Sequence, residues 1–279
     1  MLIDLHLHTT NSDGLESLEN LTSRLSQSIN NQKLILGVVD HHHLTIKKIV
    51  HYKNIELIPG MEISVNVNKE AYHLVAYSGK PQITPKMRNQ LDAIINGYNE
   101  RAKKILRQLK NAGYKLPDPI RNPKLPSPIY TYDIARQLGT LIKIKTEKET
   151  IKWAKENDNL LFVKEENFLP EISEAASLLH ESNFKVFWAH PGSKNFSKSN
   201  LKTILNNIDG IEVFCPKNDL NKTAFFLDLA NKQNLLVSGG SDYHGKGRGV
   251  SEPMFCLPET LYDKNMFLCR IGGKITYSP

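Results

Sequence analysis

Short apolar runs rich in β-branched residues recur along the chain, near 2–8, 34–40, 56–62, 71–77, 185–189, 211–214 and 235–239. Each has the length and composition of a strand. Between several of them, apolar residues return at helical spacing. Leu18, Leu21 and Leu25 do so within 15–28, and 201–208 and 222–231 repeat the pattern. Strands alternating with helices predict a parallel sheet with crossover connections. Seven strands in 279 residues predict an α/β fold whose sheet is strongly curved or closed into a barrel.

The pattern changes between the fourth and fifth runs. Met87, Leu91, Ile94, Tyr98, Ile105 and Leu109 mark one face of a long helix over 84–113, with Asn111-Ala112-Gly113 as its stop. Arg101, Lys103, Lys104, Arg107 and Lys110 fall on the other face. They read as a solvated surface or as a basic flank over an anion-binding cleft. The connector at 116–128 is too proline-dense for a helix or a central strand, and 129–169 is helical and charged. Residues 81–169 are therefore expected to form an inserted, mainly helical subdomain, with 1–80 and 170–279 as the body.

Composition changes this picture little. The formal net charge of +7 favours an anionic substrate or partner. There is no aromatic-interleaved basic motif of the RNA-binding-sheet kind. Cys215, Cys256 and Cys269 are odd in number and unmotivated in spacing, so they are expected to be reduced thiols. No basic-then-apolar leader opens the chain, and no apolar run approaches the roughly 18–20 residues of a membrane span. A cytoplasmic protein with no membrane association and no obligate protein partner is expected.

The candidate chemistry lies at the strand ends. In DLHLHTTNSDG, His6 and His8 sit two apart, so both imidazoles leave one face of a strand, while Ile3, Leu5 and Leu7 point to the other. Asp13 follows in a Ser-Asp-Gly turn that can swing it back over the pair. Asp40 and His41 end the second run, Glu62 the third, and His190 the fifth. His73 lies early in the fourth, and Asp242 and His244 follow the last. One histidine after a strand is commonly a loop or core residue. Six apolar runs that each carry His, Asp or Glu in or just after them would waste burial unless cations collect them. The expectation is a multi-metal site at the C-terminal mouth of the sheet.

The HLH near the start, the Asp-His pair, PGMEIS, AHP and SDYHG together resemble the PHP superfamily, the polymerase and histidinol phosphatase group of metal-dependent phosphoesterases. The motifs cover about two thirds of the chain. The inserted segment resembles that of small bacterial members acting on nucleoside phosphates and short RNA. The resemblance implies a distorted seven-stranded (β/α) barrel and three divalent metal ions. It places His6, His8, Glu62 and Asp242 on the first metal and Glu62, His73 and His190 on the second. Asp13, His41 and His244 fall on the third, while Asp40 and Asp4 would orient ligand histidines. Mixed imidazole and carboxylate ligands suit Mn, Zn or Fe better than Mg. The implied reaction is attack of a metal-activated water on the phosphorus of a mono- or diester.

Two stretches depart from the family pattern. Relatives acting on nucleotides often carry Arg-Pro-His-Ile-Ala in the insertion, with Arg and His on phosphate; here the stretch is Thr131-Tyr132-Asp133-Ile134-Ala135. Relatives also often have a histidine after the sixth strand, where this chain runs through Cys215-Pro216-Lys217-Asn218-Asp219. Asp133 would repel a phosphate in that pocket. Arg248, in HGKGRG, is the leading replacement phosphate binder, with Lys217 and Lys246 as others. His42 and His43 extend the Asp-His pair and are read as loop or rim residues. The substrate expectation is a nucleotide or short oligonucleotide. A small non-nucleotide phosphate, a non-catalytic metal-binding module and a sequence-independent RNA binder are the rivals.

Overall fold

The computed structural model describes residues 1–28, 32–122, 124–164, 168–246, 248–250 and 252–253. Cys256, Cys269 and the end of the expected 170–279 segment lie outside the described residues. The strands are β1 (Leu2–Leu7), β2 (Leu34–Val38), β3 (Val50–Tyr52), β4 (Ile55–Val67), β5 (Glu70–Tyr77), β6 (Lys185–Trp188), β7 (Gly210–Phe214) and β8 (Leu236–Gly239). The helices are α1 (Leu18–Ser28), α2 (Pro85–Asn111), α3 (Thr131–Ile142), α4 (Glu147–Glu156), α5 (Ile172–Glu181), α6 (Lys198–Leu205) and α7 (Leu220–Lys232). No helix among the described residues is long and apolar enough to cross a membrane.

Among the described residues the sheet is mixed and eight-stranded, not parallel and seven-stranded. Its order is β1-β2-β4-β5-β6-β7-β8, with the short β3 paired to β4. β5 runs antiparallel to both of its neighbours. A two-residue turn at Asn68-Lys69, both with positive φ, folds β5 directly back on β4. β1 meets the segment after β8 through the isolated bridge Leu7–Tyr243, and no continuous ladder closes the described strands into a barrel.

The apolar alternation of β1 is broken by a register shift between Asp4 and Leu7. Ile3 and Leu5 pack with Ile35, Ile58, Val75, Tyr77 and Phe187. Leu7 packs instead with Leu21 and Leu25 of α1. Val75 lies opposite Glu62 in the β4–β5 ladder, so the first of these clusters shares the face from which Glu62 projects. The expectation of three residues on one face therefore fails at the bulge.

Thr84 caps α2, its side chain accepting from Met87 N, and Pro85 opens the first turn. Met87, Leu91, Ile94 and Tyr98 join the large cluster over β4 to β7, whereas Ala102, Ile105 and Leu109 join a second cluster with α3 and α4. α2 thus ties the segment between β5 and β6 to the sheet. Arg101 does not belong to the solvated face: it is buried, with Nε donating to Val163 O and Nη1 to Thr131 Oγ1.

Candidate metal centre

Strand direction decides which side chains reach the site. His8, Asp40 and His41 follow the ends of β1 and β2, His190 follows β6, and Asp242 and His244 follow β8. His73 lies near the start of β5, and because β5 is reversed its beginning falls at the same mouth. Glu62 does not end its strand: β4 continues to Val67, and Glu62 projects from its middle. Gly240 is required where the chain leaves β8, because a Cβ there would collide with the backbone and Cβ of His6. His190 and Asp242 both have positive φ, at 30° and 55°. Such backbone is costly for residues with a side chain and is held where surrounding contacts enforce it.

All nine sequence-predicted ligands come together, in three groups whose ligand atoms lie within 4.8 Å of one another. One holds His6, His8, Glu62 and Asp242; the second Glu62, His73 and His190; the third His8, Asp13, His41 and His244. His8 thus reaches two groups, where the sequence placed it in one. His6 Nε2 lies 3.1 Å from His8 Nε2, and Glu62 Oε2 is 3.2 and 3.1 Å from them. Glu62 Oε1 lies 2.8 Å from His73 Nδ1 and 2.9 Å from His190 Nε2. His244 Nε2 stands 3.2 Å from Asp13 Oδ1. Among the described residues, buried Asp13 Oδ1, His41 Nδ1 and His73 Nδ1 make no hydrogen bond of good geometry, although each lies within 3.3 Å of a facing donor or acceptor atom. Imidazole nitrogens and carboxylate oxygens aimed at common points, several of them without a well-formed hydrogen bond, form a donor set that fits divalent cations.

The electrostatics keep the carboxylates ionised. Burial pushes Glu62 up, but His41, His73, His6 and the His190 contact outweigh it and hold its pKa well below the usual range. Burial likewise opposes ionisation of Asp13 and Asp242. Nearby His244, His41 and Arg248 hold Asp13 low, and Lys217, His244 and His8 hold Asp242 low.

Glu212, which the sequence did not single out, contacts two of the candidate ligand residues. It is fully buried on β7, with Oε1 2.8 Å from His6 Nδ1 and Oε2 accepting from His190 N at 2.6 Å. A proton on Nδ1 facing Glu212 leaves Nε2 of His6 free as a ligand atom. The available signal was a lone acid inside the apolar run GIEVF.

Asp40 and Asp4 touch no ligand ring directly. Asp40 accepts from Thr9 N, Thr9 Oγ1, Ser12 Oγ and Thr45 Oγ1, and Ser12 Oγ in turn lies 3.3 Å from His8 Nδ1. Asp4 accepts from His6 N and Ser241 N. His42 is buried rather than at the rim, stacked on Tyr98, and burial lowers its pKa to about 3. His43 is half-buried.

Seven of the nine candidate ligands, all but His6 and His8, line a cavity of about 590 Å³, whose lining also includes Tyr132, Thr146, Glu147, Lys148, Lys217 and Arg248. Both leading phosphate-binding candidates are thus at the site, each already paired with a ligand carboxylate. Arg248 Nη2 donates to Asp13 Oδ2 at 2.6 Å, and its guanidinium lies 4.2 Å from the Tyr132 ring centroid. Lys217 Nζ pairs with Asp242 Oδ2. Lys246 is exposed and does not line the cavity. Asp133, expected to repel phosphate, does not line the cavity either. It is buried at the start of α3, accepting from Tyr130 N and facing Arg121. Asp219, in the second departure, caps α7 by accepting from Lys222 N.

No family model matches the chain. The 5'-3' exoribonuclease Rnm of Escherichia coli is 25% identical over 268 residues, covering 88% of this chain and 85% of that protein. A 3',5'-nucleoside bisphosphate phosphatase of Chromobacterium violaceum is 22% identical over 274 residues, covering 92% and 94%. Among solved structures, a Bifidobacterium adolescentis protein assigned as a metal-dependent phosphoesterase superposes with a TM-score of 0.76 at 18% identity, covering 96% of both chains. An amidohydrolase of Chromobacterium violaceum with bound sulfate gives 0.75 at 22%, covering 95% and 97%. Motif order, shared fold and relatives matched over most of their length agree: the chain resembles PHP-type metal-dependent phosphoesterases and is a hydrolase acting on phosphoric ester bonds.

Proposed function

We propose that the protein hydrolyses a phosphomonoester or phosphodiester of a nucleotide or short oligonucleotide. The observation that carries this is the cavity: seven of the nine convergent candidate ligands line it beside the cations Arg248, Lys217 and Lys148 and the aromatic face of Tyr132. The relatives that act on RNA or a nucleoside bisphosphate span nearly their whole length with this chain. In this reading three divalent ions, of Mn, Zn or Fe type, occupy the three groups. When bound, they supply Lewis acidity at the phosphoryl oxygens and an ionised water as nucleophile.

The chain's own residues do the rest. Glu212 holds the proton of His6 at Nδ1. Asp40, through Ser12, steadies His8. Arg248 and Lys217 bind the phosphate; Lys217 Nζ keeps donors beyond the one on Asp242. In this reading residues 1–80 and 170–279 form the metal-bearing body of a PHP barrel, 81–169 the insertion that walls the cavity, and the enzyme works in the cytoplasm. The departure at Thr131–Asp133 favours a second reading, a phosphatase of a small non-nucleotide metabolite, because no histidine stands there to bind phosphate.

The test is turnover by metal-stripped protein with Mn²⁺, Zn²⁺ or Mg²⁺ restored. Substrates are an aryl phosphomonoester, an aryl phosphodiester, a 5'-phosphorylated short RNA, a nucleoside 3',5'-bisphosphate and an amino-alcohol phosphate. Mn²⁺-restored turnover, highest on the nucleotide substrates and lost in Asp242→Ala, is expected. Preference for the amino-alcohol phosphate would establish the second reading. Stoichiometric metal with no turnover on any ester would refute both.

A further inference from the structure

The segment 9–13, which delivers Asp13 to the site, is held from two sides. From the sheet side, Asp40 takes its donors, Thr9 N, Thr9 Oγ1 and Ser12 Oγ. From the other side come groups that donate to its carbonyls. Arg121 Nη2 donates to Thr10 O at 2.9 Å and also to Ser12 O, and Ser127 Oγ donates to Ser12 O at 3.2 Å. Arg121 lies in the proline-dense connector, and its Nη1 stands 3.4 Å from Asp133 Oδ2, with both side chains no more than 10% exposed.

A guanidinium buried to this depth needs a counter-charge, and Asp133 provides it. Two further contacts from the same segment reach the same ligand group. Tyr130 OH faces His41 O at 3.5 Å, and Tyr132 stacks on Arg248, which is bound to Asp13.

We infer that Arg121, anchored by Asp133, is a positioning residue for Asp13, so that the inserted helical segment assembles the Asp13–His41–His244 cation site. This rests on reading that group as a cation site. It gives Asp133 a job unrelated to substrate: the carboxylate fixes the arginine, and the arginine fixes the loop.

The experiment is Mn²⁺ titration of metal-stripped full-length protein by calorimetry, with bound metal counted by elemental analysis. The variants are Arg121→Met, Arg121→Lys, Asp133→Asn and Asp133→His. One Mn²⁺ equivalent is expected to weaken at least tenfold in Arg121→Met and Asp133→His, the others staying within twofold of wild type. Arg121→Lys, which keeps the charge and a donor, should recover part of the loss. Asp133→Asn, nearly isosteric, guards against misfolding and should weaken the same equivalent. Variants that fold, show lower melting temperatures and bind every equivalent as wild type does would overturn the inference and leave the phosphoesterase reading intact. A wild-type protein that binds none of Mn²⁺, Zn²⁺ and Fe²⁺ would overturn both.

Discussion

Glu212 carries a carboxylate inside an apolar strand, where an unpaired charge would cost several kcal/mol. It is retained because it meets two partners at once, the His6 ring and the His190 backbone. Glu212→Gln keeps the shape and one acceptor but removes the charge facing His6 Nδ1. Roughly a 10–100-fold loss of Mn²⁺ affinity is expected, the range seen when such outer partners of ligand histidines are removed. Calorimetric titration against wild type measures it, and an unchanged affinity would reject this role. The nine residues that converge in the three groups were legible in sequence as candidates because residue type and position at strand ends both pointed to them. Glu212 was visible only as a lone acid, and Arg121 not at all. In a proline-rich connector an arginine reads as a solvated cation until a carboxylate and two carbonyls are brought to it.

At the scale of elements, the reversal of β5 matters most. A parallel β5 would carry His73 to the far end of the sheet; the Asn68-Lys69 turn brings it to Glu62. A second junction, between β6 and β7, rests on Asp209. Its carboxylate accepts from Val186 N at 2.9 Å, lies 2.9 Å from Lys185 Nζ and 2.8 Å from His180 Nε2. Burial opposes ionisation, but these partners lower its pKa from 3.8 to about 2. A depressed carboxylate pKa stabilises the fold fully above the unfolded value and loses that contribution as pH falls through the folded one. Asp209 should therefore contribute above about pH 4 and nothing below about pH 2. Allowing for its partial exposure, the contribution is about 1 kcal/mol. Urea melts of wild type and Asp209→Asn from pH 7 to pH 2 should differ by this amount at neutral pH and converge in acid. A constant gap across that range would refute the assignment.

For the molecule as a whole, the net charge of +7 and the cationic side chains at the cavity act in one direction on an anionic ester. Raising ionic strength from about 10 mM to about 300 mM shortens the Debye length from roughly 30 Å to under 10 Å. The kcat/KM for a 5'-phosphorylated short RNA should then fall about tenfold, with kcat changing little. Salt-independent kcat/KM would mean that the charge excess is ordinary surface and does not guide substrate. The same scale explains how the helical segment relates to the site. Its own apolar cluster around Ile105, Ile134 and Leu138 gives it a separate core, while α2, shared by both clusters, ties it to the sheet beside the ligands.

By itself the sequence determined the mixed α/β character, the long helix with its stop, and the candidate residues that converge in the three groups. These follow from local periodicity and from residue types that are costly to bury without a cation. Only the tertiary structure decided strand direction, the bulge in β1, the sharing of His8 between two groups and the burial of Arg101, Arg121 and Asp133. Direction and register depend on which partner strand is available, and the fate of a charged side chain depends on whether distant residues supply its counter-charge and acceptors. Neither is encoded within the few residues that surround the position, so hydrophobic periodicity cannot reveal it.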